Sequence, residues 1–123
     1  MEKQFVTYEI AKELKSLGFD EECFGFFYNE QDFEIAISKA VDKICKDFNL
    51  IKRPLWQQAI DFLREHYNYN ITYNVLEHSF DIVYVFKGGP SKSKFKILSK
   101  SSDFYIARER AILTALSRIT LNT

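Results

Sequence analysis

The order of apolar and polar positions divides the chain into alternating helical and extended segments. Apolar residues at helical spacing predict helices over residues 8–17, 39–48, 55–67 and 103–119. Period-two alternation or aromatic enrichment predicts strands over residues 23–28, 33–37, 71–75, 80–86 and 94–100. The predicted class is α+β: an N-terminal helix, a β-hairpin and a helix, followed by an α-β-β-β-α unit with an antiparallel sheet packed on helices.

The closing helix, residues 103–119, carries the clearest pattern. Its apolar stripe comprises Phe104, Ala107, Ala111, Ile112, Ala115, Leu116 and Ile119. Asp103 precedes the stripe and is a suitable N-cap, because its carboxylate can accept a hydrogen bond from a backbone N–H of the first turn. One face of this helix is therefore expected to lie on the sheet.

The first half of the chain gives less definite signals. Residues 33–37 alternate like a strand that would form a hairpin, but they could instead begin the helix that follows, and the pattern leaves both alternatives open. Ser38 is the expected cap of that helix, and Phe48 is expected on its apolar side. Residues 49–53 are predicted to be a connector, with Pro54 as the first residue of the next helix.

Length and composition predict one domain, residues 1–123, with an N-terminal portion 1–53 and a C-terminal portion 54–123. The chain is 46% hydrophobic and 28% charged, which favours a folded core over disorder. It contains no apolar run near the ~20 residues that span a bilayer. Without a signal-peptide pattern at the N-terminus, we expect a cytoplasmic protein with reduced cysteines and no membrane association.

Charge is distributed unevenly although the net charge is zero. Residues 1–50 hold 6 basic and 11 acidic residues, whereas residues 87–123 hold 8 basic and 2 acidic residues. The candidate contacts for nucleic acid or an acidic partner are Lys87, Lys92, Lys94, Lys96, Lys100, Arg108 and Arg110. The alternative is a solvated edge strand that lysines protect from pairing. A second candidate recognition surface is the tyrosine-rich segment 67–73.

Catalytic and metal chemistry have weak support. Cys23, Cys45, His66 and His78 suit zinc, but their spacings of 22, 21 and 12 include no short ligand pair. No local pattern marks Cys23 as a nucleophile. We therefore predict no metal, no cofactor and no enzymatic activity.

The order of elements from Pro54 onward resembles the double-stranded-RNA-binding domain. The segment Ala107-Arg108-Glu109-Arg110-Ala111-Ile112-Leu113-Thr114-Ala115-Leu116 is similar to that family's Ala-Lys-x-x-Ala-Ala-x-x-Ala-Leu core. The family begins this helix with lysines that bind phosphates, whereas this chain has Asp103-Phe104-Tyr105 there. The resemblance implies the fold, and the changed first turn argues against the RNA-binding activity of that family.

The whole chain also resembles small uncharacterised proteins of phages and prophages of Bacteroides-like bacteria. The segments that carry this resemblance are Tyr8-Glu9-Ile10-Ala11, Leu17-Gly18-Phe19-Asp20-Glu21, Cys23-Phe24-Gly25, Leu55-Trp56-Gln57-Gln58-Ala59-Ile60-Asp61 and Tyr105-Ile106-Ala107-Arg108. We therefore expect a small non-enzymatic binding protein of phage or prophage origin that acts on a host or phage protein. The alternative is a nucleic-acid-binding module, and the sequence does not determine the oligomeric state.

Overall fold

The structure, a computed structural model, describes residues 2–85, 94–100 and 103–121. The helices are a short 3-10 turn at Glu2–Gln4, α1 at Tyr8–Ser16, α2 at Ser38–Phe48, α3 at Trp56–Tyr67 and α4 at Phe104–Leu121. The strands are β1 at Gly25–Phe27, β2 at Phe33–Ile35, β3 at Ile51–Arg53, β4 at Tyr69–Asn74, β5 at Ser79–Val85 and β6 at Lys94–Lys100. Helices and antiparallel sheets together confirm the predicted α+β class.

The chain divides into two compact units, Met1–Ala59 and Ile60–Thr123, with the boundary inside α3. Each unit contains one three-stranded antiparallel sheet. The prediction that residues 1–123 form one domain stays a prediction.

The sheet of the first unit has the strand order β2-β1-β3. Strands β1 and β2 form a hairpin in which Phe27 pairs with Phe33. The side chain of Asn29 closes its turn by accepting hydrogen bonds from the backbone N–H groups of Gln31 and Asp32, each at 2.9 Å. The strand interpretation of this segment is therefore correct over Phe33–Ile35, and the helical alternative is wrong.

Strand β3 was not expected, because residues 49–53 were predicted to be a connector. Gly25 of β1 pairs with Arg53 of β3, and a side chain on Gly25 would meet the Arg53 carbonyl oxygen at 3.1 Å. Pro54 is buried and precedes α3, so it is not the first residue of that helix. Its carbonyl instead accepts a hydrogen bond from the Val6 N–H at 3.0 Å. Both errors arise because the partners of this segment are distant in sequence.

Some helix ends of the first unit agree with the predictions made from the sequence, and others do not. Thr7 caps α1 by accepting a hydrogen bond from the Ile10 N–H, and Gly18 adopts the left-handed conformation after the helix at φ 91°. In contrast, Ser38 does not cap α2, because it is already the first helical residue and Ile37 occupies the N-cap position. Phe48 is 71% exposed rather than part of the buried side of α2.

The second unit has the strand order β4-β5-β6. The central place of β5 agrees with its sequence, in which Val83 and Val85 stand opposite a second apolar face and so indicate a strand covered on both sides. Helix α4 packs on all three strands. Its buried residues are Ala107, Ala111, Ile112, Ala115, Leu116 and Ile119. The three alanines allow the helix backbone to approach the sheet closely, and the helix-strand-strand-strand-helix order is as the sequence predicts.

Candidate functional site

The predicted basic residues do not all lie in the part of the chain that the structure describes. Lys87 and Lys92 lie outside the described residues. Three others occupy β6, an edge strand, opposite residues of β5: Lys94 pairs with Val85, Lys96 with Val83 and Lys100 with Ser79. This register is compatible both with a basic binding edge and with a protected one, so the choice between them stays open.

The two arginines of α4 have different environments. Arg110 is exposed. The guanidinium carbon of Arg108 lies 5.4 Å from the ring centroid of Phe104 and 5.2 Å from that of Tyr105. Partial burial lowers the pKa of Arg108 against a smaller opposing effect of Tyr105. Arg108 is thus part of an aromatic cluster.

The rings of this cluster contact one another across α4 and the β4–β5 hairpin. Phe104 lies 4.9 Å from Tyr73 and 5.2 Å from Phe80, measured between ring centroids. Tyr73 and Phe80 are cross-strand partners 5.0 Å apart, and Phe104 also lies 5.5 Å from Tyr105. The first turn of α4 is therefore fixed against the hairpin by edge and tilted ring contacts.

This end of the second unit exposes large apolar side chains, and we refer to the set as the aromatic surface. It comprises Tyr73 (36% exposed), Val75 (69%), Leu76 (93%), Phe104 (38%), Tyr105 (50%) and Ile106 (40%). Val75 and Leu76 lie in the turn directly after β4, the strand that carries Tyr73. Single exposed apolar residues are common, but an apolar group of this size at one end of a fold is typical of an interaction site.

The first turn of α4 is capped by the carboxylate of Asp103, which makes it unfavourable for binding a phosphate. The Asp103 carboxylate accepts hydrogen bonds from the backbone N–H groups of Tyr105 at 2.9 Å and Ile106 at 3.3 Å, which confirms the predicted N-cap. Here a carboxylate occupies two of the N–H donors and adds a negative charge, which disfavours a phosphate.

The two cysteines of the first unit are buried thiols. Burial is the main cause that raises the pKa of Cys23 to about 12, and burial also raises the pKa of Cys45. A thiol that stays protonated at neutral pH is a poor nucleophile. Over the described ranges, no group of three or more His, Cys, Asp or Glu residues could hold a metal ion.

The first unit contains a polar cleft of about 510 Å³ that the sequence did not predict. The Lys52 ammonium, which lines it, lies 3.0 Å from Asp20 Oδ1 and 3.1 Å from the Glu21 carbonyl oxygen and forms a salt bridge with Asp42. Burial lowers the pKa of Lys52, but the two carboxylates outweigh this and raise it. All three hydrogens of this ammonium have acceptors, so the group stabilises the fold instead of awaiting a ligand.

The second lysine of the cleft has a similar arrangement. Lys15 Nζ donates to Asn49 Oδ1 at 2.9 Å and to the carbonyl oxygens of Asn49 and Leu50 at 3.4 Å. This contact joins α1 to the turn in which Asn49 adopts a left-handed conformation at φ 52°. No local motif marks these lysines, because Asn49 is 34 residues from Lys15 and Asp20 is 32 residues from Lys52.

Sequence reasoning identified parts of the aromatic surface without locating it. Phe104 was expected in the buried stripe of α4, but it stands at the end of that stripe where the sheet stops and is half exposed. In the tyrosine-rich segment, Tyr69 is 2% exposed and belongs to the core, whereas Tyr73 reaches the surface. The sequence feature that could have located this surface is the pair of aromatic residues, Phe104 and Tyr105, in the first turn of a helix.

No protein-family model matches the chain, and neither the curated proteins nor the solved structures give a significant match. The α+β class is established by the fold alone. Among the described helices, none has both the length and the apolar character needed to cross a bilayer.

Proposed function

We propose that this chain is a small non-enzymatic binding protein that acts on a protein partner through the aromatic surface. The observation that carries the proposal is the exposure of Tyr73, Phe104 and Tyr105 beside the protruding Val75–Leu76 turn. A phage or prophage origin and action in the host cytoplasm belong to the same proposal. A host protein is accordingly the first class of partner to test.

The chemistry of the aromatic surface suits a protein partner. Tyr and Arg are enriched at the energetic centres of protein interfaces, where rings bury large apolar areas at little entropic cost. Tyr105 and Arg108 supply both residue types in contact with each other. Leu76 is 93% exposed and has no polar atom to offer a phosphate backbone. Burial of this aliphatic turn against a partner would stabilise the complex through the hydrophobic effect.

Separate observations on the thiols and amino groups of the first unit support a non-enzymatic function. Both thiols are buried, and the thiol of Cys23 is protonated at neutral pH. The amino groups of Lys15 and Lys52 are occupied by acceptors of the first unit. These groups therefore have structural explanations that need no substrate.

The proposal can be tested by site-specific photo-crosslinking. A benzoylphenylalanine probe replaces Tyr105 in one variant and Phe48 in another, and each variant is irradiated in lysate of a Bacteroides-type host. Phe48 is a matched control, because it is an aromatic residue with 71% exposure in the first unit. We expect one protein to be crosslinked at position 105 and not at position 48. Equal crosslinking at both positions, or none at 105 in repeated experiments, would contradict the proposal.

The alternative function is nucleic-acid binding through the basic residues of β6 and its surroundings. The uneven charge of the chain and the edge position of β6 favour testing it. Electrophoretic shifts with duplex RNA and DNA at two salt concentrations measure it directly, because phosphate contacts weaken steeply with salt. A salt-sensitive shift that disappears when Lys94 and Lys96 are changed to Glu would replace the protein-partner proposal with this one.

A further inference from the structure

Strand β2 in the first unit presents an open edge. It pairs only with β1 among the described residues, which give the order β2-β1-β3. On the other side of the sheet, the N-terminal segment continues past the end of β3 through the Phe5–Leu55 bridge. The outer side of β2 has no such cover within the described ranges.

The register shows which backbone groups face outward. The Tyr28 N–H donates to the Asp32 carbonyl at 2.9 Å, and the Ala36 N–H donates to the Phe24 carbonyl at 2.8 Å. In an antiparallel ladder, every second residue is hydrogen-bonded to its neighbour and the residues between point away. Phe33 and Ile35 are these intervening residues, so their N–H and C=O groups lie on the outer edge of β2. Four backbone groups are therefore arranged to pair with a further strand.

The edge is also held in place before any partner binds. The guanidinium carbon of Arg53 lies 4.3 Å from the ring centroid of Phe33 and 4.7 Å from that of Phe27. The Tyr28 hydroxyl donates to the Glu34 carboxylate at 3.0 Å. A strand fixed on both faces loses little conformational freedom when another strand is added, which favours binding.

The side chains at this edge include no lysine or proline, and they indicate the chemistry of an occupant. Edge strands are commonly protected by lysine or proline, but Ile35 is 45% exposed and Ile37 is 72% exposed. Residues 28–38 contain Glu30, Asp32 and Glu34, all exposed, and no basic residue. An occupant that complements this edge combines apolar side chains with positive charge.

We propose that β2 binds an extended segment of a partner protein as an additional strand, and that this segment has alternating apolar residues flanked by lysine or arginine. Backbone hydrogen bonds to Phe33 and Ile35 supply affinity, and Ile35 with the acidic residues supplies selectivity. This interaction surface lies in the first unit and is distinct from the aromatic surface. It does not depend on the function proposed for the aromatic surface.

Fluorescence anisotropy with a labelled peptide, Arg-Lys-Val-Thr-Val-Lys-Arg, tests the proposal. The key comparison uses the same peptide with alternate backbone amides N-methylated, which keeps every charge but cannot complete a ladder. We expect the unmodified peptide to bind and the methylated peptide to lose binding. Equal binding of the two peptides would show simple charge attraction and overturn the proposal, as would no binding of either.

Variants of Ile35 provide the reciprocal test. Ile35→Pro removes one outward N–H at an edge position where proline is tolerated, so we expect about tenfold weaker peptide binding. Ile35→Val is the matched control, because it keeps the amide hydrogen and a branched side chain, and its affinity should stay within about threefold. Circular dichroism shows whether both variants fold. If Ile35→Pro does not fold, the comparison of the unmodified and methylated peptides on the unmodified chain tests the proposal instead. A Tyr105→Glu variant should bind the peptide normally, which separates this proposal from the proposed function.

Self-association is the competing outcome. Sedimentation velocity over a range of concentrations measures it on the unmodified chain. A concentration-dependent dimer that Ile35→Pro abolishes, without peptide binding by the unmodified chain, would assign the edge to a second copy and overturn the proposal.

Discussion

Replacement of Arg53 with alanine should destabilise the first unit by about 3 kcal/mol. Arg53 is only 5% exposed, and its Nε donates to the Val6 carbonyl at 2.8 Å. A hydrogen bond from an ionised donor contributes about 1.5–3 kcal/mol, and a desolvated cation–π contact adds about 0.5–2 kcal/mol. Two rings, Phe33 and Phe27, lie within 5 Å of the guanidinium carbon. The alanine variant no longer buries a charge, which offsets part of this sum and leaves a net loss of about 2–4 kcal/mol.

Two further variants separate the contributions of Arg53. Arg53→Lys keeps the charge but lacks the planar group that stacks on Phe33 and Phe27, so it should lose about 2 kcal/mol. Arg53→Met keeps the apolar stem and leaves the Val6 carbonyl without this donor, which should also cost about 2 kcal/mol. Lys12→Ala is the control, because Lys12 is exposed on α1 and its loss should change stability by less than about 0.5 kcal/mol.

Urea unfolding at equilibrium, followed by tryptophan fluorescence, measures these effects. Trp56 is the only tryptophan of the chain, and its indole N–H donates to the Lys3 carbonyl at 2.8 Å within the first unit. The denaturant dependence should be the same in all variants, so that a shifted midpoint reports stability. An Arg53→Ala variant that loses less than about 1 kcal/mol would refute the assigned role of the guanidinium.

Two other predictions concern the cap of α4 and a buried thiol. Asp103→Ala should destabilise the second unit by about 1 kcal/mol, whereas Asp103→Asn should retain most of the stability because asparagine also caps helices; equal melting temperatures of the two variants in thermal denaturation would contradict this. For Cys23, the folded pKa of about 12 lies above the ordinary thiol value of 9.0, mainly because burial disfavours the thiolate. The neutral thiol therefore contributes its full stabilisation below pH 9 and loses it as the pH rises toward 12, by at most about 1.4 kcal/mol per pH unit. Urea unfolding at pH 8, 9 and 10 should show a steeper loss in the unmodified chain than in Cys23→Ala, and parallel losses would show that Cys23 does not cause the dependence.

Helix α4 and strand β3 differ in how far apart in the sequence their stabilising contacts lie. The α4 stripe and its Asp103 cap depend on residues no more than four positions apart, so periodicity and capping chemistry define them without knowledge of the fold. The interval 94–100 was likewise predictable, since apolar and polar residues alternate along it. Strand β3 has only three residues, two of which are basic, and it forms because Arg53 binds Val6 and Lys52 binds Asp20, at separations of 47 and 32 residues.

The sequence by itself determined the order of helices, the central place of β5 and the charge asymmetry of the chain. It could not determine which aromatic residues become surface, because Phe104 and Ala107 share one helical face and only the extent of the sheet leaves Phe104 half exposed. Nor could the sequence show that Ile35 lies on an open sheet edge, because this depends on β3 pairing with β1 and not with β2. Local interactions fix secondary structure, whereas the exposure of a side chain is set by what the tertiary fold places beside it.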